Sequence, residues 1–372
     1  MKLRYKVLGA IAILIVLAIG SLALALSHDS PCGAATPPAA NTQSMKAVVY
    51  RCYGGPNVLK LEDIAKPIAA DDRVLVKVHA ASVNPLDWHY MQGKPYIMRP
   101  MAGIGKPQSM LMGADFAGTV ETVGKSVTRY KPGDEVFGDR DGAFGQYVSV
   151  AEKGAMALKP TNMSMEQAAA VPIAGLTALQ ALRDKGKLKA GQKVLINGAS
   201  GGVGTFAVQI AKTYGADVTG VCSTRNVEMV RSIGADRVID YTKEDFTQGS
   251  ARYDLIIDNV GNHTLSEYRH VLTPNGALVM VGGPSDNSWL GPLTTVVKAY
   301  FVAPFVSQKL TFMLAQANKE DLNVLRELME AGKLTPVIDR HYPLAETAQA
   351  IGYVEQGHAK GKVIITVDQS AP

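Results

Sequence analysis

Sulfhydryls are scarce in this chain: Cys32, Cys52 and Cys222 are its three cysteines, with no CxxC spacing. That excludes a four-cysteine zinc lobe and argues against a disulfide framework. Aromatics make up 6% and charged residues 19% of 372 residues, and no basic stripe interleaved with aromatics occurs. Net charge is +5; Lys2, Arg4 and Lys6 against Asp29 put +2 in residues 1–44 and leave +3 for the rest. So small and dispersed a charge speaks against nucleic acid as a partner. No heptad or Gly-X-Y period is present, which excludes coiled-coil and collagen-like chains.

What is present is apolar and glycine-rich. Hydrophobic residues are 47%, enough for a sizeable core, and Gly is 36 of 372. At ~100–200 residues per domain the length predicts two domains. Three cations precede residues 7–26, an uncharged stretch long enough to cross a bilayer, since ~20 apolar residues suffice. The expectation is a single-pass N-terminal anchor that makes the membrane a partner and the membrane the chain's location. Length favours a retained anchor, and Ala23-Leu24-Ala25 leaves a cleaved signal open. Residues 27–44, rich in Ala, Pro, Ser and Thr, read as an extended linker. Positive charge before the span predicts an inside N-terminus and an outside body. That conflicts with the cytosolic cofactor argued below and leaves the side of the membrane open. Met45 would also make a natural start for the body.

From Met45 the pattern is first β-rich. Residues 46–50, 74–80, 117–123, 135–138 and 145–150 are short alternating or β-branched runs bounded by Gly, Pro and Asp. Residues 165–183 then read helical, interrupted at Pro172. Strands at 193–197, 217–222, 237–239, 254–258 and 277–281 alternate with helices at 203–214 and 226–233. That alternation signals βαβ units and a parallel sheet. Residues 293–331 read as helical, and 337–338 and 362–367 return to strand.

The most informative stretch is Asn197-Gly198-Ala199-Ser200-Gly201-Gly202-Val203-Gly204. A strand precedes it and a helix follows. Small residues let the backbone approach a pyrophosphate, which the helix N-terminus then attracts. An NAD site places an acid about 20 residues on. Here the second strand ends in Ser223-Thr224-Arg225, two hydroxyls and a guanidinium. That set suits a 2′-phosphate, so NADPH is expected; the alternative for Arg225 is a solvated cation at a helix start.

With these motifs in place, residues 45–367 resemble the medium-chain dehydrogenase/reductase superfamily, and most of all its zinc-independent quinone oxidoreductase branch, which includes zeta-crystallin-like and reticulon-interacting reductases. The resemblance rests on Ala81-Ser82-Val83-Asn84-Pro85-Leu86-Asp87, Gly113-Ala114-Asp115-Phe116-Ala117-Gly118, Pro132-Gly133-Asp134-Glu135-Val136, the glycine-rich turn and Gly361-Lys362-Val363. It implies an α/β architecture: a GroES-like β-rich catalytic domain at 45–168, completed by 335–372, and a doubly wound Rossmann domain at 169–334. Zinc-dependent relatives carry Cys where this chain has Asn84 and a His-Glu pair where it has Ala114-Asp115, so the resemblance implies no metal. It implies hydride transfer from NADPH to a quinone or an α,β-unsaturated carbonyl, and subunits paired as dimers or tetramers. Alternatives are a zinc-free alcohol or aldehyde reductase and a non-catalytic NADPH-binding protein.

Candidate catalytic residues are Asn84 as a polar contact to the acceptor, Asp87 as a brace of its loop and Tyr90 as a proton donor, with His89 a weaker option. Loop structure or core packing is the competing reading for each. By the same resemblance the cofactor is lined by Thr177, Tyr241, Asn259, Val260, Val281, Gly282 and Lys362, besides Ser200 to Gly204 and Ser223 to Arg225. Residues 92–112 form a longer loop than in the simplest relatives. Its Tyr96, Met98, Met101 and Met110 read either as an adaptable apolar lid or as plain packing.

Overall fold

The computed structural model describes residues 2–35, 37–284 and 287–367, without the side chains at 2, 3, 6–10 and 12. Val194, Leu195 and Ile196 are fully buried in the strand Lys193–Asn197. An unbroken apolar run suits a parallel strand covered on both faces, and each such side chain contributes about 1.5–3 kcal/mol on burial. Around it lies a six-stranded sheet in the order Arg237–Asp240, Asp217–Cys222, Lys193–Asn197, Tyr253–Asp258, Leu272–Met280, Lys309–Phe312. All neighbours are parallel. In sequence order this is 3-2-1-4-5-6, and the order reverses between Lys193–Asn197 and Tyr253–Asp258. Ligands bind at such a reversal, beyond the carboxyl ends of the strands.

The second layer is a seven-stranded, mostly antiparallel sheet centred on Arg73–Val83. It pairs with Asp115–Val123, Tyr147–Ala151 and, from the far end of the chain, Lys362–Thr366. The C-terminal strand thus returns to the N-terminal sheet and carries Lys362 with it. Pro172 does interrupt the helical stretch, which divides into Met165–Ala169 and Pro172–Gln180.

Two expectations are corrected. The first helix runs Lys2–Ser27, but among the described residues no helix is long and apolar enough to cross a membrane. Side chains 7–10 and 12, on which the anchor reading also rested, lie outside the described residues. The transmembrane helix, the bilayer partner and the membrane location all fall with this. Secondly, a disulfide does form, between Cys32 and Cys52 with Cα atoms 4.6 Å apart, leaving Cys222 free and buried.

Candidate functional site

At the reversal of the parallel sheet, the Asn197 amide donates to Asp258 Oδ1 at 3.0 Å and to Asn262 Oδ1 at 2.8 Å, tying the two central strand ends together. The chain then turns sharply into the helix Gly202–Thr213. A Cβ on Gly204 would lie 2.1 Å from the Gly198 carbonyl oxygen, so only glycine permits this turn. The first-turn amides of Gly202, Val203 and Gly204 have no intrahelical acceptor, and the helix dipole adds positive potential there. Together they form an anion site.

Around it stand the other expected cofactor residues. Asn226 Nδ2 donates to Ser200 Oγ at 3.1 Å and to Ser223 Oγ at 3.3 Å, so one amide gathers both hydroxyls. Thr224 Oγ1 donates to Asp240 Oδ2 at 2.6 Å. An acid is therefore present beside the second strand's end, supplied by the third strand and occupied by hydroxyls. Those hydroxyl bonds, Thr224's foremost, hold the Asp240 carboxyl down at about 2. Arg225 Nη2 donates to the His358 carbonyl at 2.9 Å, and Tyr241 stands exposed at the same edge.

On the other side of the reversal, Asn259 Nδ2 donates to the Asn197 carbonyl at 2.9 Å. Its Oδ1 is buried with no partner among the described residues. A buried acceptor without a donor fits a bound group that brings one. A Cβ on Gly282 would fall 2.2 Å from the Asn259 carbonyl oxygen, while Val281 N donates to Asp258 O at 2.8 Å and Val260 is exposed. Thr177 is buried and its Oγ1 already donates to Ile173 O at 2.7 Å. The amide turn, the orphaned acceptor and the hydroxyl cluster fit a dinucleotide.

Lys362 links this end to the other. Gly361 N donates to Ser200 O at 2.8 Å, and Lys362 Cδ packs 3.2 Å from the position a Gly202 Cβ would take. The buried Lys362 Nζ reaches Asn84 Oδ1 at 2.6 Å and Asp115 Oδ2 at 3.3 Å. Asp115 is the hub. It also receives Ser82 Oγ, Asn84 Nδ2 and the Ile173 N–H, each at 2.9 Å. Asn84 is thus turned inward, both ends of its amide engaged. Asp87 Oδ2 accepts the Asn84 N–H at 2.7 Å.

Next to this cluster is a cavity of about 350 Å³ lined by Tyr50, Asp87, Tyr90, Met101, Ala114, Asp139 and Asp141 among others. Burial pushes the carboxyls of Asp87 and Asp139 up to about 7. The negative charge of Asp115 adds to both, and the Asn84 N–H bond opposes it at Asp87. Burial likewise raises the Asp141 carboxyl and the Tyr90 hydroxyl. His89 is held elsewhere, with Nδ1 2.9 Å from the Lys94 carbonyl oxygen and burial lowering its pKa.

Comparison with known proteins now decides the family. Residues 70–160 match the alcohol dehydrogenase GroES-like domain, and 233–365 match the family described as zinc-binding dehydrogenase. The chain is 35% identical over 336 residues to the 2-methylene-furan-3-one reductase of Solanum lycopersicum, covering 86% of this chain and 79% of that one. It is 35% identical over 345 residues to the chloroplastic NADPH-dependent alkenal/one oxidoreductase of Arabidopsis thaliana, covering 89% and 81%. Among solved structures, the quinone oxidoreductase from Coxiella burnetii superposes with a TM-score of 0.76 at 33% identity, over 88% of this chain and 100% of that one. The chain belongs to the medium-chain dehydrogenase/reductase superfamily, in its quinone oxidoreductase-like branch.

Within that superfamily the zinc of the family description does not fit these residues. Catalytic zinc takes about three His, Cys or carboxylate ligands. Here the equivalent positions offer an amide, an alanine and one carboxylate that already holds an ammonium. No group of three such side chains among the described residues could hold a metal ion. Tyr50, Asp115, Asp139 and Asp141 went unnoticed as candidates in the sequence. The Asp139-Arg140-Asp141 triplet carried a signal, two acids flanking a strand end. Asp115 stood in the Gly113–Gly118 motif, but its role as a hub was hidden because its partners come from three separate segments, at 82–84, 173 and 362.

Proposed function

We propose that this oxidoreductase reduces a quinone or the conjugated double bond of an α,β-unsaturated carbonyl at the cavity beside Asp87 and Tyr90, with NADPH as its reductant. The observation that carries the reading is the cavity's content: a tyrosine hydroxyl and carboxyls with pKa near 7, reached from the dinucleotide turn through Lys362 and Asn84. NADPH, when bound, supplies the hydride. Reduction leaves negative charge on the acceptor oxygen, and a preorganised donor stabilises it. The Tyr90 hydroxyl can donate a hydrogen bond there, and the Asp87 or Asp139 carboxyl, titrating near neutrality, can donate a proton because it is both protonated enough and acidic enough. Asn84 acts as a positioning residue, holding Lys362 and Asp115 rather than the acceptor. Ser223 and Arg225 take the 2′-phosphate, which fits the NADPH dependence in the Arabidopsis relative's name.

Product analysis with an enone tests the reaction type. The saturated ketone is expected. The allylic alcohol would instead identify a carbonyl reductase and overturn the assignment.

A further inference from the structure

The loop beside the acceptor cavity is fastened by a segment that precedes the β-rich domain in sequence. Met101 and Ala102 line the cavity from the short helix Arg99–Ala102. Arg99 on that helix is fully buried. Its Nε donates to the Gly93 carbonyl at 2.9 Å, within the loop itself. Its remaining nitrogens leave the loop. Nη1 donates to the carbonyls of Leu26 at 2.8 Å and His28 at 2.9 Å, and Nη2 pairs with Asp29 Oδ1 at 2.6 Å. The guanidinium also lies 4.4 Å from the Tyr53 ring and 4.6 Å from the Tyr96 ring. Ser30 N donates to the Gly105 carbonyl at 2.7 Å, and Tyr53 hydroxyl to the Gly103 carbonyl at 2.6 Å. Three residues past Asp29, Cys32 is bonded covalently to Cys52, next to Tyr53.

We propose that residues 26–32 form a strap that sets the shape, and hence the acceptor selectivity, of the cavity, with Arg99 as the positioning residue and the disulfide as its lock. A buried guanidinium without its acceptors is costly, whereas here each of its three nitrogens has an acceptor. Three of those answers come from the strap. Remove them and Arg99 must turn outward, carrying Met101 and Ala102 away from the cavity. Asn84, Asp87 and Tyr90 lie on a different element, the helix Pro85–Gln92 and its cap, so the reacting end stays in place. The strap therefore acts on acceptor binding and not on the cofactor. The inference rests on the acceptor-cavity reading above.

The test uses the full chain. KM and kcat are measured for a compact acceptor, 1,4-benzoquinone, and a bulky one, 9,10-phenanthrenequinone, in wild type, Asp29→Ala, Asp29→Glu and Cys32→Ser. Asp29→Ala and Cys32→Ser are expected to change the ratio of the two KM values about tenfold, as small displacements in a site do, with NADPH affinity unchanged. Asp29→Glu keeps the carboxylate and is expected to restore the ratio. A merely structural strap would lower thermal stability in all three and leave the ratio fixed, which overturns the proposal. If wild type turns over neither quinone, the acceptor reading fails on its own. Hydrogen exchange then decides the strap: faster exchange at the amides of Gly103 and Gln108 in Cys32→Ser supports it, and unchanged exchange overturns it.

Discussion

Asp87 carries two duties that can be separated. Its Oδ2 accepts the Asn84 N–H, and its carboxyl faces the acceptor cavity. Burial raises the group to about 7, so it is protonated below that pH and loses its proton above it. If it donates to the acceptor oxygen, kcat falls as pH rises through about 7. Asp87→Asn keeps a hydrogen-bonding side chain but cannot deliver a proton. We expect kcat to drop about 10²-fold, the usual worth of a positioned acid, and the inflection near neutrality to vanish from the kcat–pH profile. Arg225 is the second residue to test. It donates to the His358 carbonyl and has no carboxylate partner among the described residues, so its charge remains available to a 2′-phosphate. Arg225→Ala should weaken NADPH binding about tenfold and leave NADH binding unchanged, as read by fluorescence titration of both.

The strand–turn–helix around residues 193–213 is where sequence and structure agree most closely. Lys193–Asn197 has the bounds its apolar run predicts, and the helix begins one residue before its expected start. Burial on both faces makes such a strand legible, and the turn requires glycine at Gly198, where φ is +77°, and at Gly204, where the backbone approaches closest. Gly204→Ala would drive a methyl group against the Gly198 carbonyl oxygen. The turn must open, and NADPH affinity should fall at least about tenfold while the far-UV circular dichroism of the folded chain persists. Elsewhere the pattern misled. Residues 293–331 read as one helical stretch, yet Leu293–Val302 and Lys319–Glu330 flank an edge strand, Lys309–Phe312. Four residues, one exposed and three half-buried, give too short an alternation to reveal a strand. The helix Thr347–Glu355 was likewise unread.

At the scale of the molecule, what the sequence hid is what depends on distant partners. The Cys32–Cys52 bond closes on the segment that Arg99 binds through Leu26, His28 and Asp29, and no spacing rule anticipates a pair brought together by such distant contacts. The Asp115 hub likewise joins strand, loop, helix and C-terminal strand, each unremarkable alone. The glycine-rich turn, by contrast, is local, and so was read directly. These pieces join the dinucleotide turn through Lys362 to the acidic cavity, where NADPH, when bound, would pass its hydride directly to a conjugated acceptor and the cavity's acidic groups would supply the proton. The most direct measurement follows nicotinamide absorbance as the full chain consumes cofactor, comparing NADPH with NADH and offering quinones, enones and saturated aldehydes. The account predicts NADPH-selective turnover of a quinone or enone. Tight NADPH binding with no turnover of any acceptor, or turnover of saturated aldehydes alone, would contradict it.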